Sequence, residues 1–253
     1  MQITIGDVYQ LGDHRLLCGD AKASSLMKKL IRDERISLVL TDPPYGVAYV
    51  EGKTDLTKIK KHSKKIINDH TQTEEAYRLF TKEWIEVVKP YLSRKNSFYI
   101  FNSDKMLFAL RDGMKDAEIK FTQLLIWIKN HSVVGRMHYL PQHELIAYGW
   151  YGSHEFYKVK DKSILCYPKP NKSPLHPTTK PVGLLRNLIL NSSKIGDCIY
   201  DPFGGSGSTL IACEQTKRRC LMVEIDPEYC QVIIDRFQKV SDQKAERIKG
   251  DGK

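Results

Sequence analysis

The tetrapeptide Asp42-Pro43-Pro44-Tyr45 combines a carboxylate, bare carbonyl groups and an aromatic ring in one rigid turn. Two consecutive prolines fix two φ angles and remove two N–H donors, so that acceptors remain. The Asp42 carboxylate and the Pro43 carbonyl are each suited to accept one N–H of a planar amino group, and the Tyr45 ring can stack on the ring that carries it. A turn that only ends a strand, with Asp42 as a local cap, is the alternative.

Residues 201–209 form a second informative segment, Asp-Pro-Phe-Gly-Gly-Ser-Gly-Ser-Thr, between an apolar run and a helical pattern. Its glycines let the backbone turn tightly and approach a ligand closely. The dinucleotide pattern G-x-G-x-x-G/A fails because Leu210 stands at the third small position, and the Gly-Lys-Ser/Thr of a P-loop is absent. The unpaired N–H groups at the helix start could therefore face a carboxylate instead of a pyrophosphate.

An acidic residue follows this glycine turn at the end of the next apolar run. Glu224 lies 23 residues beyond Asp201, where an acid is placed to accept both hydroxyls of a ribose, as in other nucleoside-binding α/β sheets. Taken with a turn that can face a carboxylate, it suggests an adenosine ligand with an amino-acid tail, namely S-adenosylmethionine. A structural glycine turn followed by a surface glutamate is the alternative.

The two turns together resemble those of the S-adenosylmethionine-dependent DNA amino-methyltransferases, and their order resembles the permuted β class of that family. The resemblance covers nearly the whole chain and includes four other segments. These are Leu17-Cys-Gly-Asp20, Trp127-Ile-Lys-Asn130, His143-Glu-Leu-Ile-Ala-Tyr-Gly-Trp150 and His176-Pro-Thr-Thr-Lys-Pro181. The second and third of them are most similar to phage and prophage members.

The resemblance implies a cofactor pocket for S-adenosylmethionine. Asp20 would lie near the adenine and Glu224 on the ribose, while Thr178 and Lys180 would lie near the methionine end, where a lysine can also meet the carboxylate. A turn aspartate and a solvated lysine are the alternatives for Asp20 and Lys180. The expected cofactor-binding residues are Asp20, Thr178, Lys180, Asp201, Phe203, Gly204, Gly205, Ser206, Gly207, Ser208, Thr209 and Glu224.

The resemblance also implies the reaction: methyl transfer to the exocyclic N6 of an adenine in a short duplex site. The base must be flipped out of the duplex to reach the methyl donor, and Asp42, Pro43, Pro44 and Tyr45 are the expected catalytic residues. Cytosine N4 is the alternative target, although the cytosine enzymes more often begin this motif with serine. Methylation of RNA or protein is less favoured, since those families usually place the glycine turn first.

Two regions are predicted to contact DNA. Residues 51–69 are expected to form a mobile basic loop on the phosphates, which gives affinity without sequence choice; residues 130–177 are expected to form a small target-recognition region. A solvated loop and ordinary structural roles are the alternatives. The candidate contacts are Lys53, Lys58, Lys60, Lys61, Lys64 and Lys65 in the loop, and Arg136, His138, Tyr139, Gln142 and His143 in the recognition region.

Alternating apolar runs and helical patterns predict one α/β domain over residues 1–253, with a Rossmann-like, mostly parallel sheet covered by helices on both faces. Both turns then lie at the carboxyl ends of strands, where such folds bind ligands. Strands are predicted at 36–41, 97–101, 121–129, 143–150, 197–201 and 219–225. Helices are predicted at 104–117, at 181–193 with a Thr178 or Thr179 cap, from Ser208, and from Pro227 after an Asp226 cap.

Two further expectations concern the helix that precedes the predicted strand at 97–101 and the end of the chain. Residues 71–74, Thr-Gln-Thr-Glu, match a capping box. Ala76, Phe80, Trp84 and Val88 follow at helical spacing and predict its buried face. The polar tail after Ser241 is expected to fray.

The composition is that of an ordinary globular protein of 253 residues with a net charge of +10, which favours a polyanionic partner such as DNA. Six scattered cysteines without C-x-x-C predict reduced core thiols in a cytosol-like compartment and no metal site. The apolar run 124–128 is far below the about 20 residues of a membrane span, and no secretory signal pattern begins the chain. By resemblance, a second copy of the chain and a cognate restriction endonuclease are the protein partners to expect.

Overall fold

The computed structural model describes residues 2–46, 72–132, 138–158, 160–169 and 179–248. The predicted basic loop lies outside these ranges, as do parts of the predicted recognition region.

The described chain alternates between strands and helices, as the apolar pattern predicts. Its strands are β1 (Val8–Leu11), β2 (His14–Cys18), β3 (Ile36–Thr41), β4 (Leu92–Asn102), β5 (Lys120–Ile128), β6 (His143–Trp150), β7 (Ile164–Cys166), β8 (Cys198–Asp201), β9 (Arg219–Glu224) and β10 (Ala245–Ile248). Its helices are α1 (Ser24–Ile31), α2 (Glu74–Val88), α3 (Leu107–Asp116), α4 (Val182–Ser192), α5 (Ser208–Thr216) and α6 (Pro227–Ser241), with a 3₁₀ turn at Lys89–Tyr91.

Within the described residues the strands form a single sheet in the order β10-β1-β2-β9-β8-β3-β4-β6-β5-β7. The central run from β2 to β4 is parallel. Antiparallel pairings flank it, between β10, β1 and β2 on one side and between β4, β6 and β5 on the other. The predicted α/β fold is therefore confirmed, with a sheet that is parallel at its centre and mixed overall.

Helices cover both faces of this sheet, which gives the molecule two apolar layers. Neighbouring residues of β3 point to opposite faces: Leu38 and Leu40 pack in the layer of α4, α5 and α6, whereas Val39 packs in that of α1, α2 and α3. A strand buried on both faces reads as a continuous apolar run, which is how β3 appears in the sequence.

Several local predictions are confirmed by the structure. β3 and β6 have the predicted bounds, and α5 begins at Ser208. Asp226 caps α6, because its side chain accepts the backbone N–H of Glu228, and Pro227 occupies the first helical position. α2 ends at Val88, before a 3₁₀ turn that contains Pro90.

Other local predictions are wrong. The N-cap of α2 is Thr73, two residues after the predicted Thr71; it accepts from the N–H of Ala76, which as an alanine cannot complete a capping box. The buried face includes Tyr77 and Ile85, while Ala76 is exposed. α4 has Pro181, and not Thr179, at its N-cap position, and Thr178 lies outside the described residues.

The two ends of the sheet add strands that the sequence did not suggest. β1 and β2 form a hairpin, and β10 pairs with β1 where a frayed tail was predicted. The side chain of Arg247 forms an ion pair with Asp7 across this edge. Within the described ranges, no helix is both long and apolar enough to cross a membrane.

Candidate active site

The turns after β3 and β8 meet because these two strands are parallel neighbours and end at the same edge of the sheet. Asp42 and Gly205 line the same cavity, which has a volume of about 280 Å³. Fourteen of the predicted catalytic and cofactor-binding residues line it: Asp20, Asp42, Pro43, Pro44, Tyr45, Lys180, Asp201, Phe203, Gly204, Gly205, Ser206, Ser208, Thr209 and Glu224. Gly207 does not line the cavity, and Thr178 lies outside the described residues.

Both oxygens of the Asp42 carboxylate have hydrogen-bond donors. The Tyr45 hydroxyl donates to Oδ1 at 2.6 Å, and the Lys180 ammonium donates to Oδ2. Burial raises the pKa of Asp42; the Lys180 ammonium opposes this effect and the nearby Glu144 carboxylate adds to it, so that the pKa lies above its ordinary value. Each oxygen keeps a second acceptor position, so this carboxylate can still accept an amino N–H.

Lys180, which was predicted to lie near the methionine end of the cofactor, has two acidic partners in the structure. Its Nζ lies 3.1 Å from Oε2 of Glu144 as well as against Asp42, and its side chain is 6% exposed. Burial lowers the pKa of Lys180, but the two carboxylates outweigh burial and raise it above its ordinary value. Lys180 is therefore charged, and it bridges Glu144 and the Asp42 carboxylate of the turn at residues 42–45.

Glu144 and Lys129 complete this charged cluster, and neither was a predicted site residue. Nζ of Lys129 lies 2.8 Å from Oε1 of Glu144, and the lysine side chain is 5% exposed. Burial raises the pKa of Glu144, but Lys180 and Lys129 reverse this and bring it to about 2. One feature of the sequence could have indicated this pair: a lysine ends one predicted strand and a glutamate lies near the start of the next. In the structure Lys129 directly follows β5, and Glu144 lies in β6 opposite Trp127.

The hydroxyl of Tyr45 holds the turn at residues 42–45 in place through hydrogen bonds. Besides its bond to Asp42, the hydroxyl lies 3.4 Å from Oε2 of Glu144. Burial, with the two carboxylates, raises the pKa of Tyr45 well above its ordinary value, so the hydroxyl remains a donor. The ring lines the cavity, where one face remains suited to stacking.

Asp201 links the two turns. The Thr41 hydroxyl, at the end of β3, donates to its Oδ1 at 2.8 Å, and the N–H of Phe203 donates to the same oxygen at 3.2 Å. Burial raises the pKa of Asp201 to about 7. This residue therefore holds the end of β3 against the glycine turn, in addition to lining the cavity.

Two of the glycines in the turn have distinct structural roles. Gly205 has φ +52° and its N–H donates to Oε2 of Glu224 at 2.7 Å. Gly207 has φ +79°, and a Cβ there would lie 3.1 Å from Ile233. Gly207, which was predicted to contact the cofactor, is not among the residues that line the cavity; its positive φ sets the backbone of the turn, and it packs against Ile233 of α6.

Glu224 and Asp20 also line the cavity, and both accept hydrogen bonds from backbone groups. The two oxygens of Glu224 accept the N–H groups of Gly205 and Asp226, the latter at 2.9 Å. Burial raises the pKa of Glu224 to about 7. Asp20 accepts the N–H of Lys22 at 2.9 Å while lining the cavity, so its turn role and its predicted ligand role are compatible.

An aromatic wall that includes residues missing from the prediction lines the same cavity. The ring of Phe203 lies 5.6 Å from that of Phe80 and 5.8 Å from that of Trp84. Phe80 and Phe203 line the cavity beside Asp20 and Glu224. Such rings offer apolar faces on which a planar base can stack, and the carboxylates of Asp20 and Glu224 can accept hydrogen bonds from polar groups of the same ligand.

The described candidates for DNA contact differ in exposure and in their contacts. His138 and Tyr139 are exposed, Tyr139 by 92%. Gln142 is exposed too, but its side-chain amide donates to the carbonyl of Lys129 at 3.0 Å, which ties the segment before β6 to the end of β5. His143 lines the cavity. The six candidate lysines of the basic loop and Arg136 lie outside the described residues.

No cluster of three or more metal-ligating side chains occurs in the part of the chain that the structure describes. The arrangement is instead a cavity with a carboxylate, a bare carbonyl and an aromatic ring at one turn and a glycine-rich helix start at the next.

The sequence matches known proteins along most of its length. The profile of the family N6_N4_Mtase, described as DNA methylase, matches residues 36–235. The Type II methyltransferase M.HpaI of Haemophilus parainfluenzae is 26% identical over an alignment that covers 89% of this chain and 74% of the relative.

Solved structures share the fold. The M1.HpyAVI–SAM complex superposes with a TM-score of 0.63 at 22% identity, covering 87% of this chain and 98% of the other. The PvuII DNA methyltransferase, which is cytosine-N4-specific, superposes with a TM-score of 0.69 at 16% identity, covering 90% of this chain and 89% of the other.

Proposed function

The chain belongs to the DNA methylase family N6_N4_Mtase, and from this premise we propose that it methylates the exocyclic N6 of adenine in duplex DNA with S-adenosylmethionine as methyl donor. The observation that carries the proposal is the shared cavity of Asp42 and Gly205. Acceptors for an amino group and a glycine-rich helix start lie at neighbouring strand ends, as a transfer between two bound molecules requires.

The residues present fit S-adenosylmethionine. Each oxygen of Glu224 accepts one backbone N–H and keeps a second acceptor position for a ribose hydroxyl. The aromatic wall of Phe80 and Phe203 is suited to the adenine, and the first N–H groups of α5 are suited to the carboxylate of the amino-acid tail. When bound, S-adenosylmethionine supplies an electrophilic methyl group on a sulfonium.

The catalytic turn is suited to activate an amine that is a poor nucleophile, because its lone pair is delocalised into the ring. The Asp42 carboxylate and the Pro43 carbonyl would accept its two N–H groups and favour tetrahedral geometry at the nitrogen. Asp42 would then stabilise the positive charge that develops there. Holding both reactants in one cavity supplies much of the remaining rate acceleration, for which positioning can contribute roughly 7–11 kcal/mol.

The DNA contacts belong to the same proposal. A flipped adenine reaches the cavity from a duplex held by the basic loop at 51–69, with residues 130–177 reading a short site. Exposed His138 and Tyr139 and the cavity-lining His143 support this placement of the recognition region. The chain acts as one methyltransferase domain, and a second copy and a cognate restriction endonuclease are its proposed partners.

Adenine is preferred to cytosine because the catalytic tetrapeptide begins with Asp42, whereas the family's cytosine-N4 enzymes more often begin it with serine. The likeness to the cytosine-specific PvuII enzyme concerns the fold.

A labelling experiment tests the proposed function. The purified protein is incubated with unmethylated genomic DNA, RNA or protein and S-adenosylmethionine carrying an isotopically labelled methyl group, with Asp42→Ala as the inactive control.

Mass spectrometry of the digested nucleosides gives the outcome. We expect labelled N6-methyladenine in DNA. Labelled N4-methylcytosine would replace the adenine assignment, and label confined to RNA or protein would overturn the DNA assignment. Sequencing of methylated DNA from cells that express the protein then gives the recognition site.

A further inference from the structure

A half-buried guanidinium contacts the glycine turn. Nη1 of Arg236, on α6, donates to the Ser206 carbonyl at 2.9 Å and to the Ser208 hydroxyl at 3.0 Å. The Ser206 hydroxyl is 3.3 Å from the same nitrogen. One side chain therefore contacts three oxygen atoms on the two serines that flank Gly207.

These contacts determine what the two serines can do. Arginine has N–H donors and no acceptor, so both hydroxyls accept from it and must direct their own O–H elsewhere. Ser206 and Ser208 both line the cavity. The Ser206 hydroxyl also lies 3.3 Å from the hydroxyl of Thr179, another residue of the cavity wall. Because one of the Ser206 and Thr179 hydroxyls donates to the other, the wall at this point presents the Ser208 O–H and one O–H of that pair as donors to a ligand.

The charge of Arg236 is not neutralised by an acid. No carboxylate of the described residues forms an ion pair with it, and burial lowers its pKa below the ordinary value of an arginine. The N-terminus of α5 adds its own positive field at the same place. A positive charge, a helix start and two oriented hydroxyls thus converge on one section of the wall.

We propose that Arg236 is a positioning residue for the carboxylate of the cofactor's amino-acid tail, acting through the hydroxyls of Ser206 and Ser208. This inference rests on the proposed function, because it assumes that S-adenosylmethionine binds in this cavity. The resemblance suggested that Lys180 could meet this carboxylate. Lys180 instead forms ion pairs with Asp42 and Glu144, and Arg236 lies where it can act on the carboxylate through the two serines.

Two ligands that differ in the tail test this role without DNA or turnover. S-adenosylhomocysteine carries the amino-acid tail, and 5′-methylthioadenosine lacks it. We measure the affinity of both for wild type, Arg236→Gln and Arg236→Lys by calorimetry. We expect Arg236→Gln to weaken S-adenosylhomocysteine about tenfold or more, as for loss of charge-assisted hydrogen bonds, and to change methylthioadenosine by less than about twofold. Arg236→Lys keeps the charge and should retain part of the selectivity.

Lys239→Gln is the matched control, because it removes a positive charge from an exposed position on the same helix. It should bind both ligands as wild type does. An equal loss for both ligands in both Arg236 variants would mean that Arg236 only shapes the turn, and unchanged binding would mean that it has no role; either result overturns the inference. A wild-type protein that binds neither ligand would overturn the proposed function instead.

Discussion

The ammonium group of Lys180 bridges the carboxylates of Asp42 and Glu144, which come from two different strand ends. Lys129 adds a second positive charge beside Glu144, so two partly buried acids contact two buried lysines. A buried charge cluster of this kind is costly to disturb at any one member, because removal of one partner leaves an uncompensated charge. The cluster thereby holds Asp42 in one orientation.

Asp42 is expected to be essential for methyl transfer but not for cofactor binding. Asp42→Ala removes the carboxylate that accepts an amino N–H and stabilises the charge on nitrogen, so we expect a fall in kcat of at least about 10²–10³-fold. Asp104→Asn is the matched control, since Asp104 lines the same cavity without a described contact to Asp42. The readouts are the initial rate of methyl transfer and the affinity for S-adenosylhomocysteine. Near-normal turnover of Asp42→Ala would refute the catalytic role.

The two neighbours of Asp42 should shift the acidic limb of the pH–rate profile in opposite directions. The rate requires ionised Asp42 and falls as the pH drops through its pKa. Lys180 lowers this pKa and Glu144 raises it. Lys180→Met should therefore move the acidic limb to higher pH, and Glu144→Gln should move it to lower pH.

The profile of kcat against pH for each variant checks this pair of shifts. The other acids that face Asp42 across the cavity, among them Asp201 and Glu224, are present in both variants and cancel in the comparison. Shifts in the same direction, or a uniform loss of rate without a shift, would show that the cluster is only structural.

Burial of Asp201 should make the protein without ligand less stable as the pH rises. The folded pKa is raised from 3.8 to about 7, so between these values the folded state binds more protons than the unfolded state. The free energy of unfolding therefore falls as the pH rises through this window and levels off above about pH 7. Glu224, whose pKa is also raised to about 7, contributes in the same direction.

Asp201→Asn separates this effect from the rest of the chain. The Asn carbonyl oxygen can still accept from Thr41 and Phe203, and the ionisation penalty is gone. We expect the Tm of the variant to exceed that of wild type at pH 8 and to match it more closely at pH 4, with roughly 2–4 °C for each kcal/mol recovered. Thermal unfolding at both pH values is the measurement, and a variant less stable at pH 8 than at pH 4, relative to wild type, would contradict it.

The sequence was sufficient to predict the centre of the site. The Asp42 turn and the glycine turn follow apolar runs, and parallel strands buried on both faces are the elements that such runs identify most directly. Their meeting in one cavity follows from the rule that ligands bind at the carboxyl ends of parallel strands.

The charged cluster and the sheet edges could not be predicted in this way. Glu144 and Lys180 acquire their roles from packing between elements distant in the chain, which local pattern does not encode. β10 is a short polar strand whose stability comes from pairing with β1, so its sequence resembles a frayed tail. Likewise, Arg236 resembles an ordinary helix residue until α6 is packed against the glycine turn.

Gly207 should tolerate no side chain, although it does not line the cavity. Its φ of +79° is strained for any residue with a Cβ, and that Cβ would also press on Ile233 at 3.1 Å. Gly196→Ala is a close control, because Gly196 has φ +81° with no atom near its Cβ position. Both alanine variants should lose roughly 1–2 kcal/mol of stability from backbone strain.

The affinity for S-adenosylhomocysteine distinguishes the two variants. Gly207→Ala displaces the turn between Ser206 and Ser208 and should weaken binding at least about tenfold, whereas Gly196→Ala should bind as wild type does, since its turn lies between α4 and β8, away from the cavity. Calorimetry at a temperature where both variants are folded gives the comparison. Equal affinities would show that the turn absorbs the extra methyl group, and that its backbone does not determine the shape of the cavity.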